Sequence, residues 1–204
     1  MQKDKVEILS QETLAKGKWR SLERFLIKKK LFDREEYSAP LEIELSVCGD
    51  AVICIPYIAE TDEIILNQQF RAGVFHNNKH NPYIYELCAG MLDKESEEPI
   101  EVAKRELLEE TGSKALDIEE ILGTYASPGY SNEFFYFFCA NVTKPQEGIF
   151  GAKDEAEDIK TVILPASKVI EMSDNGKILS ASAVLAINWF ARNHKRLQEK
   201  WGKK

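Results

Sequence analysis

From Ala51 to Ile58 the chain is an almost unbroken apolar run (AVICIPYI), followed by Glu60-Thr61-Asp62-Glu63 as a turn and Ile64 to Phe70 as a second strand. An apolar run of this length without alternation reads as a strand covered on both faces, so the two strands are expected as a hairpin in a central sheet. Leu41 to Cys48 (LEIELSVC) behaves differently, alternating polar and apolar residues like a strand with one buried face. With the mixed charged and apolar segment Leu14 to Lys30, it predicts a small antiparallel N-terminal sheet. Ala72 to Pro82 (AGVFHNNKHNP) is polar and reads as a loop, after which Tyr83 to Leu87 predicts a strand leading into Gly90.

The period then changes. Pro99 suits a first helical turn, where its missing N–H would be unpaired anyway, and Gly112 suits a helix stop, so a helix is predicted from about Pro99 to Thr111. Ile100, Ala103, Leu107 and Thr111 recur at helical spacing and are its expected core face. Ile118 to Tyr125 and Phe134 to Val142 predict strands, with Pro128-Gly129 marking a tight turn between them. Thr161 to Leu164 predicts another strand. Ile178 to Trp189 predicts a closing helix in which Ser180, Ala181, Ser182, Ala183 and Ala186 permit close packing. The fold class is α/β with a mixed sheet. The expected organisation is an N-terminal extension over residues 1–48 and one larger domain over 49–204, with no internal repeat.

Composition narrows the partners. At 204 residues the chain can bury a core of its own, and its formal net charge of −7 argues against general binding to nucleic acid, whose phosphates reward clustered Lys and Arg. The basic C-terminus (Lys195, Arg196, Lys200, Lys203, Lys204) is expected as a solvated helix end. Cys48, Cys54, Cys88 and Cys139 lie in or beside apolar runs without a Cys-x-x-Cys pair, and are expected as buried free thiols. His76, His80 and His194 show no ligand spacing and are expected at the surface. No apolar leader core opens MQKDKVEILS and no run approaches a membrane span, so a reducing cytoplasm is the expected compartment.

Candidate chemistry sits on the predicted helix. Glu106, Glu109 and Glu110 fall at i, i+3 and i+4, which places three carboxylates side by side. Their mutual repulsion makes most sense if a cation lies among them, and Mg²⁺ or Mn²⁺ is the natural match for hard oxygen ligands. A merely solvated acidic face is the alternative.

Gly90, Glu97, Arg105, Glu106, Glu109, Glu110 and Gly112 closely resemble the signature of the Nudix hydrolases, which cleave nucleoside diphosphates linked to another moiety. Two departures stand out: one extra residue lies between Gly90 and Glu97, where a bulge before the helix is expected, and Ser113 replaces a bulky aliphatic, a loss expected to cost stability more than chemistry. The resemblance implies a mixed sheet sandwiched between helices, residues 49–204 as the catalytic domain, and two or three Mg²⁺ ions held by Glu106, Glu109, Glu110 and the Ala89 carbonyl. Gly90, Glu97, Arg105 and Gly112 take structural roles, Arg105 by pairing with Glu97.

Further segments, from about Gly17 to Trp189, resemble the ADP-ribose pyrophosphatase branch. Gln69-Phe70-Arg71 resembles a strand-end motif whose Arg contacts substrate, and such a guanidinium can clamp a phosphate with two parallel bonds. Ser127-Pro128-Gly129 resembles the branch's Ser-Pro-Gly loop, with Glu86 and Glu133 as further substrate-binding candidates. Gly148 to Lys160 resembles its acidic catalytic loop, where a carboxylate can swing in to take a proton from water. Glu157 is favoured over Glu155 as that base, with Glu109 and Glu133 as alternatives. Gly17-Lys18-Trp19 resembles a segment whose Trp stacks on adenine; burial of Trp19 in the small sheet is the alternative. The branch exchanges its N-terminal segment between protomers, which implies a homodimer through residues 1–48.

The implied activity is Mg²⁺-dependent hydrolysis of ADP-ribose to AMP and ribose 5-phosphate. Glu86-Leu87-Cys88-Ala89-Gly90 also resembles relatives that cleave GDP-mannose or UDP-glucose, which keeps those nucleotide sugars open as substrates. A noncatalytic module that binds a nucleotide sugar is the alternative outside the enzyme class, and the presence of all three carboxylates weighs against it.

Overall fold

A computed structural model describes residues 5–92, 97–151 and 157–202. The extra residue before the helix signature therefore falls in a segment, 93–96, outside the described residues, as do Glu155, Lys203 and Lys204. Contacts divide the chain into two compact units, Met1–Asp50 with Thr124–Phe134, and Ala51–Gly123 with Phe135–Lys204.

The smaller unit is built on an antiparallel sheet of β1 (Val6–Lys16), β2 (Arg20–Lys29) and β3 (Leu41–Cys48), in that order. The sequence reading had no separate strand at β1, because its residues lack alternation; all of them but one are exposed. In β2, Glu23 is buried and accepts hydrogen bonds from Ser21 Oγ (2.8 Å), Thr13 Oγ1 (3.1 Å) and Gln11 Nε2 (3.3 Å). These bonds hold its carboxyl below the usual range, Ser21 contributing most.

In the larger unit β4 (Ala51–Ile58) is buried at every residue, as its unbroken apolar sequence demands. Its inward alternation serves two cores. Ile53, Ile55 and Tyr57 pack with Val169 of α3 (Ala166–Asp174) and with Ala186, Ile187 and Phe190 of α4 (Ala181–Trp201). Val52, Cys54 and Ile58 pack with Val102, Ala103 and Leu107 of α2 (Pro99–Thr111). The sheet is thus sandwiched between α2 and the α3–α4 pair.

That sheet is mixed. Its path runs β10 (Ile149–Phe150), β11 (Ile159–Pro165), β5 (Glu63–Phe70), β4, β9 (Phe134–Val142), β8 (Ala115–Tyr125), with β4 and β9 parallel. The β4–β5 hairpin pairs only Tyr57 with Ile64 and Ile58 with Glu63 before its strands part. Into the fork run β6 (Tyr83–Glu86), paired with β5, and β7 (Cys88–Met91), paired with β4. The fork brings Ala89 and Gly90 from one arm and Asn67 from the other beneath α2.

Three helices also differ from the sequence reading. Ala72–Asn77 forms a short helix, α1, closed by Asn78 in the left-handed region (φ 57°); with no buried residue, it leaves no apolar period to detect. Helix α3 also lay outside the reading. The closing helix starts at Ala181 and continues to Trp201, whereas Ile178 precedes it as a buried plug after Gly176 (φ 67°).

Candidate active site

Helix α2 begins at Pro99 and ends on Gly112, whose positive φ of 67° suits glycine and whose N–H bonds back to Leu107 and Leu108. It packs against the sheet over a wider arc than Ile100, Ala103, Leu107 and Thr111 alone: Val102 and Glu110 are buried too, and Ile100 is only partly so. The three neighbouring carboxylates therefore meet different surroundings. Glu110 is 3% exposed, whereas the side chain of Glu106 is 12% exposed and that of Glu109 46%.

Glu110 Oε2 accepts from Asn67 Nδ2 at 2.8 Å and from the Ala89 N–H at 3.0 Å, and the Cys88 thiol adds a further bond. Burial pushes its carboxyl up to about 8; the Ala89 N–H opposes the shift, while Glu106 and Glu157 reinforce it. Burial likewise raises Glu106 to about 7, against the pull of Arg105 and with the push of Glu109 and Glu157. Glu157 is thus electrostatically linked to both. Glu106 lies so tightly over Gly90 that a Cβ there would fall 2.1 Å from Glu106 Oε1, so a side chain at this position would have to displace the Glu106 carboxylate.

Arg105 Nη1 bonds Glu106 Oε1 at 2.8 Å and Glu109 Oε2 at 3.1 Å, while its Nε lies 3.5 Å from Glu97 Oε1. The guanidinium so bridges the carboxylate row. Among the described residues, no group of three His, Cys, Asp or Glu side chains is arranged to grip a metal ion unaided. The donor set nevertheless suits a hard cation: carboxylate oxygens alone, two of them on side chains whose burial raises their proton affinity.

The described ends of the acidic segment lie beside this helix and beside each other. Gly151 N–H bonds the Glu109 carbonyl at 3.4 Å, and a Cβ on Gly112 would lie 2.8 Å from the Phe150 ring. Gly151 (φ 110°) abuts Glu157, whose Cβ would be 2.7 Å from a Cβ at 151, so the chain returns beside the point where it left. At the end of β5, Arg71 Nε lies 2.5 Å from Glu86 Oε2, next to an exposed aromatic group of Phe70, Phe75 and Tyr83.

Other candidates lie in the smaller unit. Trp19 occupies the β1–β2 turn and is exposed, with Lys18 Nζ 4.1 Å from its ring centroid, so the reading that buries it in the sheet fails. The Ser127 carbonyl accepts from the N–H groups of Tyr130 (2.9 Å) and Ser131 (2.8 Å), closing the turn through Pro128 and Gly129. Asn132 stitches this turn to β3 through paired bonds with the Cys48 backbone, 2.9 Å each. Burial raises the carboxyl of Glu133, opposed by Arg20.

Two expectations need correction. His194 is only partly exposed: its Nε2 lies 2.6 Å from Asp62 Oδ1 and its ring packs on Phe190. Nor is the basic helix end merely solvated, since Arg196 pairs with Glu119 (2.5 Å) and Lys200 with Asp117 (3.2 Å) on β8. Cys54, Cys88 and Cys139 are buried free thiols, whereas Cys48 is only partly buried. Ser113 is fully buried and its hydroxyl has no hydrogen-bond partner among the described residues. Asn67, missed in the sequence, was signalled only by a polar residue at an inward position of a strand. No helix among the described residues is long and apolar enough to cross a membrane.

Comparison with known proteins agrees with this geometry. Residues 49–181 match the model of the NUDIX domain. An ADP-ribose pyrophosphatase of Haemophilus influenzae is 35% identical over 199 residues, covering 96% of this chain and 90% of that protein. A GDP-mannose pyrophosphatase of Escherichia coli O1:K1 is 32% identical over 146 residues, 72% of this chain and 75% of its own. A solved structure described as an ADP compounds hydrolase superposes with a TM-score of 0.71 at 22% identity, covering 97% of this chain and 96% of that one, a likeness of fold. The carboxylate-bearing helix, its glycine-backed loop and the near-complete alignment have one reading: the chain is an enzyme of the Nudix hydrolase family, on the branch that holds the ADP-ribose pyrophosphatases.

Proposed function

We propose that this enzyme hydrolyses the pyrophosphate bond of ADP-ribose to AMP and ribose 5-phosphate. The observation that carries the substrate is the alignment with an ADP-ribose pyrophosphatase across 96% of the chain, against 72% for the GDP-mannose enzyme. Membership in the family implies Mg²⁺-dependent catalysis, and Glu106, Glu109, Glu110 and the Ala89 carbonyl are the groups we assign to hold the ion. When bound, Mg²⁺ supplies positive charge that offsets the phosphates and makes water more acidic.

The chain's own residues do the rest. Glu157 accepts the proton of the attacking water; its influence on the charges of Glu106 and Glu110 supports this assignment. Arg71, released from or shared with Glu86, clamps a phosphate oxygen. Trp19 offers an exposed aromatic face for the base, and Ser127, Pro128, Gly129 and Glu133 are assigned to substrate recognition. We further read the enzyme as a homodimer through its N-terminal strands.

The test is product release from ADP-ribose, ADP-glucose, GDP-mannose and UDP-glucose, with Mg²⁺ and with EDTA. The highest kcat/KM on ADP-ribose, abolished by EDTA, is the expected result. Preference for GDP-mannose or UDP-glucose would overturn the substrate, and absence of turnover on all four would favour the binding module.

A further inference from the structure

We propose that Asn67 is a positioning residue that, with the Ala89 N–H, locks Oε2 of Glu110 in place and so orients its carboxyl group for a cation; this rests on the metal role proposed for Glu110. Asn67 is wholly buried, at an inward position of β5 where the fork opens. An apolar residue would fit that position at lower cost, as Ile65 does one step along the same face. The amide instead spends its Nδ2 on Glu110 Oε2 (2.8 Å), while its Oδ1 stays buried without a partner among the described residues.

The orientation is set by chemistry. With the carboxylate ionised, as it would be when it holds a cation, an amide turned the other way would press its oxygen against a carboxylate oxygen, so Nδ2 faces Glu110 even though Oδ1 is then stranded. A stranded acceptor calls for an explanation, and the bond made by the other half of the amide supplies one. Here Asn67 and the Ala89 N–H hold the same Oε2 from the two arms of the fork, at 2.8 and 3.0 Å. Two donors from two strands fix the rotation of the carboxylate, which one donor would leave free. Partners of this kind behind a metal ligand commonly contribute 10- to 100-fold in affinity.

The test measures Mn²⁺ binding to the full-length protein without substrate, by titration with electron paramagnetic detection of free ion. Asn67→Leu removes the donor and the stranded acceptor together, and Asn67→Ala guards against misfit of the larger side chain. Both variants, and Glu110→Gln alone and combined with Asn67→Leu, are compared with wild type. The expected result is a roughly 10- to 100-fold weaker Kd for Asn67→Leu and Asn67→Ala, with no further loss when Asn67→Leu is added to Glu110→Gln. Mg²⁺-saturated kcat should stay closer to wild type than the Kd does. Unchanged Kd in the Asn67 variants of a protein that binds Mn²⁺ overturns the proposal, as does a loss that adds fully to that of Glu110→Gln. If wild type binds no Mn²⁺, the metal role of Glu110 fails and the proposal with it.

Discussion

At the scale of single residues, three glutamates adjacent on one helix differ in kind. Their spacing was legible in the sequence, because helical period alone places Glu106, Glu109 and Glu110 side by side. Their burial was not, because it depends on β7 and the forked sheet, which approach from elsewhere in the chain. Burial sets a definite pH dependence. Glu106 and Glu110 have folded values of about 7 and about 8 against an ordinary 4.5, so between those limits the folded protein holds protons that the unfolded chain has released. Stability in EDTA should therefore fall as pH rises from about 5 through 8. Mg²⁺ affinity should rise over the same interval, since the cation replaces those protons. Melting curves in EDTA and in Mg²⁺ at several pH values check this: the metal-induced rise in Tm should grow with pH, and Glu110→Gln should flatten the trend. A rise in Tm with pH in EDTA that Glu110→Gln leaves unaltered would contradict it.

At the scale of elements, prediction succeeded where a local signal existed. Strand β4 and helix α2 are found at their expected bounds, because an unbroken apolar run and a Pro-to-Gly bracket are read within the segment itself. Helix α1 and strand β1 were missed since neither carries an apolar period. His194 was misread because its partner, Asp62, lies in a turn distant in sequence. Strand β1 also makes a prediction. It is an edge strand of eleven residues that exposes Val6, Ile8 and Leu9, a combination that folded proteins normally cover. Equilibrium sedimentation should give twice the chain mass, and Ile8→Lys should shift the species toward the monomer. A wild-type monomer at micromolar concentration would contradict the dimer.

At the scale of the whole molecule, the fold serves a division of labour that the fork in the larger unit makes visible. One arm brings the Ala89 N–H and Gly90 under α2, the other brings Asn67, and Phe150 and Gly151 lie against the helix end. The signature residues could be placed on a helix from sequence, whereas the supporting contacts could not, because they come from strands whose pairing is set by topology. The central claim is that this buried carboxylate face makes the chain a metal-dependent pyrophosphatase. Its most direct test is Mg²⁺-dependent release of AMP from ADP-ribose by wild type and by Glu110→Gln, with folding of both checked by circular dichroism. The account predicts wild-type turnover that EDTA abolishes, and a variant that folds normally yet loses roughly two orders of magnitude or more in kcat. Near-normal turnover by the folded variant would contradict it.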